Sequence, residues 1–377
     1  MVVALTDRRR WLFRSAAVLF GLALACVVIE GAVRVFPGLL SSKLRHAAFS
    51  KYDTLPGGIF LTEGITRMRF MRADFTTRAY SHGRFWTHST DGHGFRNPAG
   101  LTDRRVLLLG DSLVYGHGVE GDQTVGHYLR NRGVAAYDLS AQGQCLYEHY
   151  VLARLFLEEF HPETVLLFVF VNDIRDLEKT RRTELVPELQ EIHSFDYELI
   201  GERVERLQRF REPWPVRAAM GSSIVRMIAK SSRWRPPKPP ESIPLKGPHG
   251  FIGRDSTQVG RSVPGAVLDN ARFEPLERYY DLILGDLSRR CRDLGIRLVL
   301  VHLVPPDQKS WRERDRAQTR FQTSLEAIAE RHTIELVDTN AFFAGHTEWI
   351  LVGDGHLNPT GNRELAAFLH TTVFPPP

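Results

Sequence analysis

Arg105-Val106-Leu107-Leu108-Leu109-Gly110-Asp111-Ser112-Leu113 is the stretch that decides the fold. A short apolar run that glycine ends, just before a helix start, suits a strand buried on both faces of a parallel sheet. Similar runs recur at 135–139 (AAYDL), 165–171 (VLLFVFV), 296–304 (IRLVLVHLV) and 334–337 (IELV). Helical periodicity fills most of the gaps, at 124–132, 147–160, 273–294 and 314–331, and a closing helix is predicted over 360–369. Strand and helix therefore alternate, and parallel crossovers are right-handed. The expectation is an α/β fold, a doubly wound, flavodoxin-like, five-stranded parallel sheet with helices on both faces. Its ligand crevice lies at the C-terminal ends of the strands.

Upstream, Arg8, Arg9 and Arg10 precede a run from Trp11 to Phe36 that only Arg14, Glu30 and Arg34 interrupt. About 20 apolar residues cross ~30 Å of hydrocarbon, so this run can span a bilayer. The basic cluster holds the N-terminus in the cytoplasm and puts the rest of the chain outside. Ala23-Leu24-Ala25 and Ala25-Cys26 offer a rival reading as a cleavage or lipidation site, and the arginines resemble a twin-arginine signal. Val27, Val28 and Ile29 stay apolar where a mature terminus would turn polar, which favours a retained anchor.

The expected organisation is thus a basic stub and transmembrane anchor over 1–36, a neck and outer wrap over 37–100, and the α/β domain over 101–377. An insertion at about 177–270 interrupts that domain. It carries Trp214, Trp234 and a proline-dense stretch, Pro236-Pro237-Lys238-Pro239-Pro240 with Pro244 and Pro248. Proline lacks a backbone donor, so the insertion reads as a cap or long loop beside the crevice. With 49 basic against 44 acidic residues and no long block of one sign, nucleic-acid binding is not indicated. Cys26, Cys145 and Cys291 lack metal or redox spacing; a Cys145–Cys291 disulfide is an open alternative.

The first strand delivers Ser112 to its C-terminal end, where a nucleophile is needed and where the serine's own N–H can face an oxyanion. The plain alternative is that Asp111 or Ser112 caps a helix. A hydroxyl needs a base, and His356 lies in Gly353-Asp354-Gly355-His356-Leu357-Asn358-Pro359, just before the closing helix. Asp354 could fix its tautomer and stabilise its charged form. Asn172, after the central strand, can donate its amide to an oxyanion, although it could equally bond its own backbone. Gly143, in the turn after the second strand, is a further candidate donor.

In this order Gly110-Asp111-Ser112-Leu113, Gly143, Asn172 and His356 resemble the four blocks of the SGNH/GDSL hydrolases, over roughly residues 90 to 370 without the insertion. Asp91-Gly92-His93-Gly94-Phe95-Arg96 and Tyr115-Gly116-His117-Gly118-Val119 look like membrane-anchored bacterial members. The resemblance implies Ser112 as nucleophile, His356 as base and Asp354 as acid. It implies an oxyanion hole of the Ser112 and Gly143 N–H groups with Asn172. Two positions depart from the pattern. Phe170 stands where the third block carries glycine, and one residue rather than two separates Asp354 from His356, as in some polysaccharide-acetylating relatives. Asp338 is the alternative acid and His302 the alternative base.

His82, His88 and His93 are loosely spaced and no HExxH occurs, so no metal is expected, and the incomplete glycine pattern at 116–118 argues for no nucleotide cofactor. Gly116-His117-Gly118 reads as a flexible wall beside Ser112. The expected activity is serine-dependent hydrolysis of a small or medium acyl ester at the outer face of a bacterial cytoplasmic membrane. Rival readings are an O-acetyltransferase acting on an envelope polysaccharide and a non-catalytic envelope scaffold or glycan binder.

Overall fold

A computed structural model of the chain describes residues 7–182, 192–232, 270–305 and 311–375. The chain forms two compact units: Met1–Ser50 with Leu55–Gly57 and Glu212–Pro236, and Lys51–Thr54 with Gly58–Arg211 and Pro237–Pro377.

In the larger unit two antiparallel hairpins come first, β1 (Phe60–Thr62) with β2 (Arg69–Met71) and β3 (Thr76–Ser81) with β4 (Arg84–Ser89). The parallel strands follow: β5 (Val106–Leu109), β6 (Ala136–Asp138), β7 (Thr164–Val169), β8 (Arg297–His302) and β9 (Glu335–Asp338). They form one five-stranded sheet in the order β6-β5-β7-β8-β9. This is the expected doubly wound order. The chain reverses its direction of travel between β5 and β7, the switch point at whose strand C-terminal ends doubly wound folds place their ligands.

Alternation along each strand divides the core into two layers. Val106 and Leu108 of β5, Leu166 and Phe168 of β7, and Val299 and Val301 of β8 pack with Val125, Leu129, Leu365 and Leu369 from helices Val125–Arg130 and Pro359–Val373. Leu107, Leu109, Val165, Leu167 and Leu300 face the other way. They meet helices Leu146–Phe160, Asn270–Asp293 and Trp311–His332 through residues such as Leu152, Ile283 and Leu325. Burial of each such side chain is worth about 1.5–3 kcal/mol. The last helix starts where predicted because Asn358 accepts from Gly361 N at 2.9 Å and Pro359 occupies its first turn.

Residues 37–100 differ from the irregular wrap expected. They fold into helix Ser42–Phe49 and the two hairpins, whose strands of three to six residues are too short to establish a readable period. The described part of the insertion is helical: Tyr197–Arg209, Trp214–Met220 and Ser223–Ser231. The first of these belongs to the larger unit, where Gln208 donates to Met71 O (3.1 Å) and His93 O (2.7 Å) and Arg203 pairs with Glu63 at 2.9 Å. The proline-dense stretch lies outside the described residues. Cys26, Cys145 and Cys291 are free, so no Cys145–Cys291 bond forms.

In the smaller unit, helix Asp7–Val35 contains a 26-residue segment, Arg10–Val35, long and apolar enough to cross a membrane; a signal sequence meets the same criteria. The one carboxylate of Arg10–Val35 has a local reason to be there. Glu30 accepts from Ser222 Oγ (2.9 Å), Ser223 N (2.8 Å) and Ile224 N (3.1 Å), satisfying free N–H groups at the start of helix Ser223–Ser231.

Candidate active site

The site is built on the chain's exit from β5. A Cβ at Gly110 would lie 2.5 Å from Val114 Cγ2 and 3.3 Å from Phe168 Cβ, so only glycine fits between the strand and the turn that follows. Asp111 then caps the one-turn helix Ser112–Tyr115, its Oδ1 accepting from Leu113 N at 2.9 Å. Ser112 is left half-buried at the C-terminal end of the strand.

The loop before the last helix comes to meet it. Ile350 bridges Leu357, and Leu351 N donates to His356 O at 2.8 Å, which folds residues 351–356 into a tight excursion. His356 Nε2 lies 2.8 Å from Ser112 Oγ, across 244 positions of sequence, and its Nδ1 lies 2.7 Å from Asp354 Oδ1. Burial alone would lower the His356 pKa, but the charge and hydrogen bond of Asp354 outweigh it and raise it above the usual value. Burial likewise pushes the Asp354 carboxyl up, and the charge of and bond from His356 win and hold it below the usual range. This chain can pass a proton from a hydroxyl to an imidazole backed by a carboxylate.

Asn172, at the start of helix Val171–Arg182 after β7, donates its Nδ2 to Asp111 Oδ2 at 3.2 Å, beside Ser112. Gly143 lies in the turn after β6 with φ +72°, and a Cβ there would meet Arg69 Nη2 at 3.2 Å. The alternative acid and base pair with each other instead. His302 and Asp338 are register partners on β8 and β9, joined Nδ1 to Oδ1 at 2.9 Å.

No family model matches the chain, and no curated protein sequence matches it. Solved structures do. A crystal structure of TesA matches at a TM-score of 0.39 and 12% identity, over 72% of this chain and 99% of that one. The psychrotrophic esterase EstA from Pseudoalteromonas sp., inhibited by monoethylphosphonate, matches at 0.38 and 12%, over 72% and 97%. A catalytic mutant of an acetylxylan esterase from Geobacillus stearothermophilus matches at 0.38 and 13%, over 70% and 92%.

Phe170, which stands where the resembled sequence pattern carries glycine, is half-buried and packs into both core layers, while its N–H donates to Asp173 Oδ2 at 3.0 Å. Gly116-His117-Gly118, expected as a flexible wall, is instead a buried one. The His117 ring centroid is 4.5 Å from that of His356, and Tyr52 and Trp86 pack on its other sides at 5.3 and 4.8 Å. Burial, followed by the His356 charge, drives the His117 pKa well below its usual value. Gly118 has φ +83°, which favours glycine, and a Cβ there would meet Leu351 Cδ1 of the 351–356 loop at 2.6 Å. The hairpin tip adds His82, whose Nδ1 is 3.5 Å from Asp354 Oδ1. Positive φ at both His82 and Gly83 makes the tight two-residue turn that brings it there. Loose histidine spacing gave no sign of this approach, because strand pairing rather than sequence proximity creates it.

Proposed function

We propose that the chain is a serine-dependent acyl-ester hydrolase of the SGNH/GDSL type. Ser112 attacks the ester carbonyl as His356 takes its proton through Nε2, and Asp354 stabilises the resulting imidazolium. The Ser112 and Gly143 N–H groups and the Asn172 amide stabilise the tetrahedral oxyanion. His356 then returns the proton to the departing alcohol, and water, activated by the same imidazole, releases the acyl group. The observation that carries this reading is the Ser112–His356–Asp354 relay, with both contacts below 3 Å. The segment Arg10–Val35 supports retention at a membrane with the catalytic unit on the non-cytoplasmic side, given the arginines before it. Small or medium acyl esters of envelope glycans or lipids are then the substrates within reach.

The test is labelling with a fluorophosphonate. Wild type takes the label, while Ser112→Ala and His356→Ala lose most or all of it. Full labelling of Ser112→Ala would refute the assignment.

A further inference from the structure

Asp354 is surrounded by more imidazole than a proton relay needs. Besides His356 on Oδ1, His82 Nδ1 stands 3.5 Å from Oδ1 and His117 Nε2 stands 3.8 Å from Oδ2. One ligand atom from each of His82, His117 and Asp354 falls within 4.8 Å of the others. The 3.8 Å separation is too long for a hydrogen bond. Among the described residues Asp354 Oδ2 has no hydrogen-bond partner, although the side chain is only 3% exposed. A buried carboxylate oxygen without a donor is costly, and a native structure keeps one for a reason.

We propose that His82, His117 and Asp354 form an inhibitory site for a divalent transition-metal ion, with zinc as the best fit. Bonds of about 2.0–2.1 Å in tetrahedral geometry put ligand atoms roughly 3.3 Å apart, so these side chains, whose ligand atoms lie within 4.8 Å of one another, draw together on the ion. Two imidazoles and one carboxylate make a donor set suited to zinc, not to calcium or magnesium. His82 is exposed, so a solvent molecule can complete the shell and the ion has a route in. The three ligands come from the hairpin tip, the turn after Ser112 and the loop before the last helix. The site therefore forms only in the folded chain, and a bound ion ties these three together. Its effect rests on the proposed function. Zinc on Oδ2 draws negative charge from the carboxylate that stabilises His356 as an imidazolium, so the relay slows while the metal is bound.

The experiment uses the full chain, titrated with zinc in a calorimeter and assayed in parallel against an activated acetyl ester. The variant is His82→Asn, since asparagine tolerates the positive φ of the turn. One zinc per chain is expected to bind wild type, with hydrolysis falling at least about tenfold and recovering on chelation. His82→Asn should keep its basal rate, bind zinc at least about tenfold more weakly and resist inhibition. Absence of stoichiometric binding, or equal binding and inhibition in His82→Asn, overturns the site. Binding that leaves turnover untouched overturns its inhibitory role. If wild type hydrolyses no ester, the proposed function fails separately, and the calorimetric comparison still decides whether the metal site exists.

Discussion

Asn172 and Asp111, 61 positions apart, are joined by a hydrogen bond of 3.2 Å from the amide to the carboxylate. Asp111 is buried, and its other oxygen caps the turn that carries Ser112. One carboxylate thus sets the serine's turn and the amide proposed for the oxyanion. The amide link crosses the gap between the ends of β5 and β7, where the strand order reverses.

Asp111→Asn separates the two duties. Asparagine can still cap Leu113 through its oxygen, but its NH2 would confront the NH2 of Asn172, and the amide must turn away. Loss of one oxyanion donor costs about 10²–10³ in kcat, so a fall of that order with KM nearly unchanged is expected. Steady-state kinetics on an activated ester check it, and an unchanged kcat would remove Asn172 from the proposed hole.

Asp354→Asn should lower kcat by about 10³–10⁴-fold, because an amide neither fixes the tautomer nor stabilises the imidazolium. The pH profile gives a separate reading. His356 must be neutral to accept the serine proton, and Asp354 raises its pKa above the usual value. Wild-type kcat/KM therefore rises as pH climbs through a limb above 6.5. Removing the charge should move that limb to lower pH. A limb that stays in place would mean that another group controls it.

How much of this was legible in the sequence follows from range. The strands of the sheet are apolar runs whose burial on both faces is written in their own residues, as in Val106–Leu109, and each ends near a turn signal. Ser112 and His356 were readable because strand order fixes which loops share a crevice. What was not readable is what non-local pairing creates. Ser81-His82-Gly83-Arg84 looks like loop sequence, and only the pairing of β3 with β4 carries His82 to Asp354. His117 looked like part of a glycine-rich wall. Its burial depends on Tyr52 and Trp86, from segments that carry no period of their own.

Arg96→Lys tests the support behind that wall. The guanidinium of Arg96 is buried and donates to four carbonyls: Tyr115 (3.2 Å) and Gly116 (2.7 Å) through Nη1, Thr87 (3.1 Å) and Val119 (2.5 Å) through Nη2. A lysine ammonium cannot span them, and each buried carbonyl left without a donor costs about 1–3 kcal/mol. A loss of roughly 2–4 kcal/mol is expected in denaturant unfolding, allowing for partial rescue by the ammonium. A loss under about 0.5 kcal/mol, typical of a surface substitution, would mean that the turn holds without this clamp.

Buried histidines should lower stability in acid. Burial drives His149 down to about 4 and His88 to about 3, and it also depresses His117. Below about 6.5 the unfolded chain protonates these rings while the folded chain does not, so stability falls with pH until each folded pKa is reached. His356, with a raised pKa, has the opposite sign: its contribution is fully present below 6.5 and is lost as pH rises through its folded value. Buried carboxyls that are also raised, such as Asp138 at about 6, titrate over the same acid range, so the total slope mixes both signs. A difference between two chains isolates one ring. His149→Gln removes a group that should contribute about 1.4 kcal/mol of lost stability per pH unit between 6 and 4.5. Urea unfolding at pH 7, 6, 5 and 4.5 should therefore show the variant losing less stability than wild type as the pH falls, whatever its stability at pH 7. Parallel curves for the two chains would mean that His149 takes up a proton in the fold as readily as in the open chain.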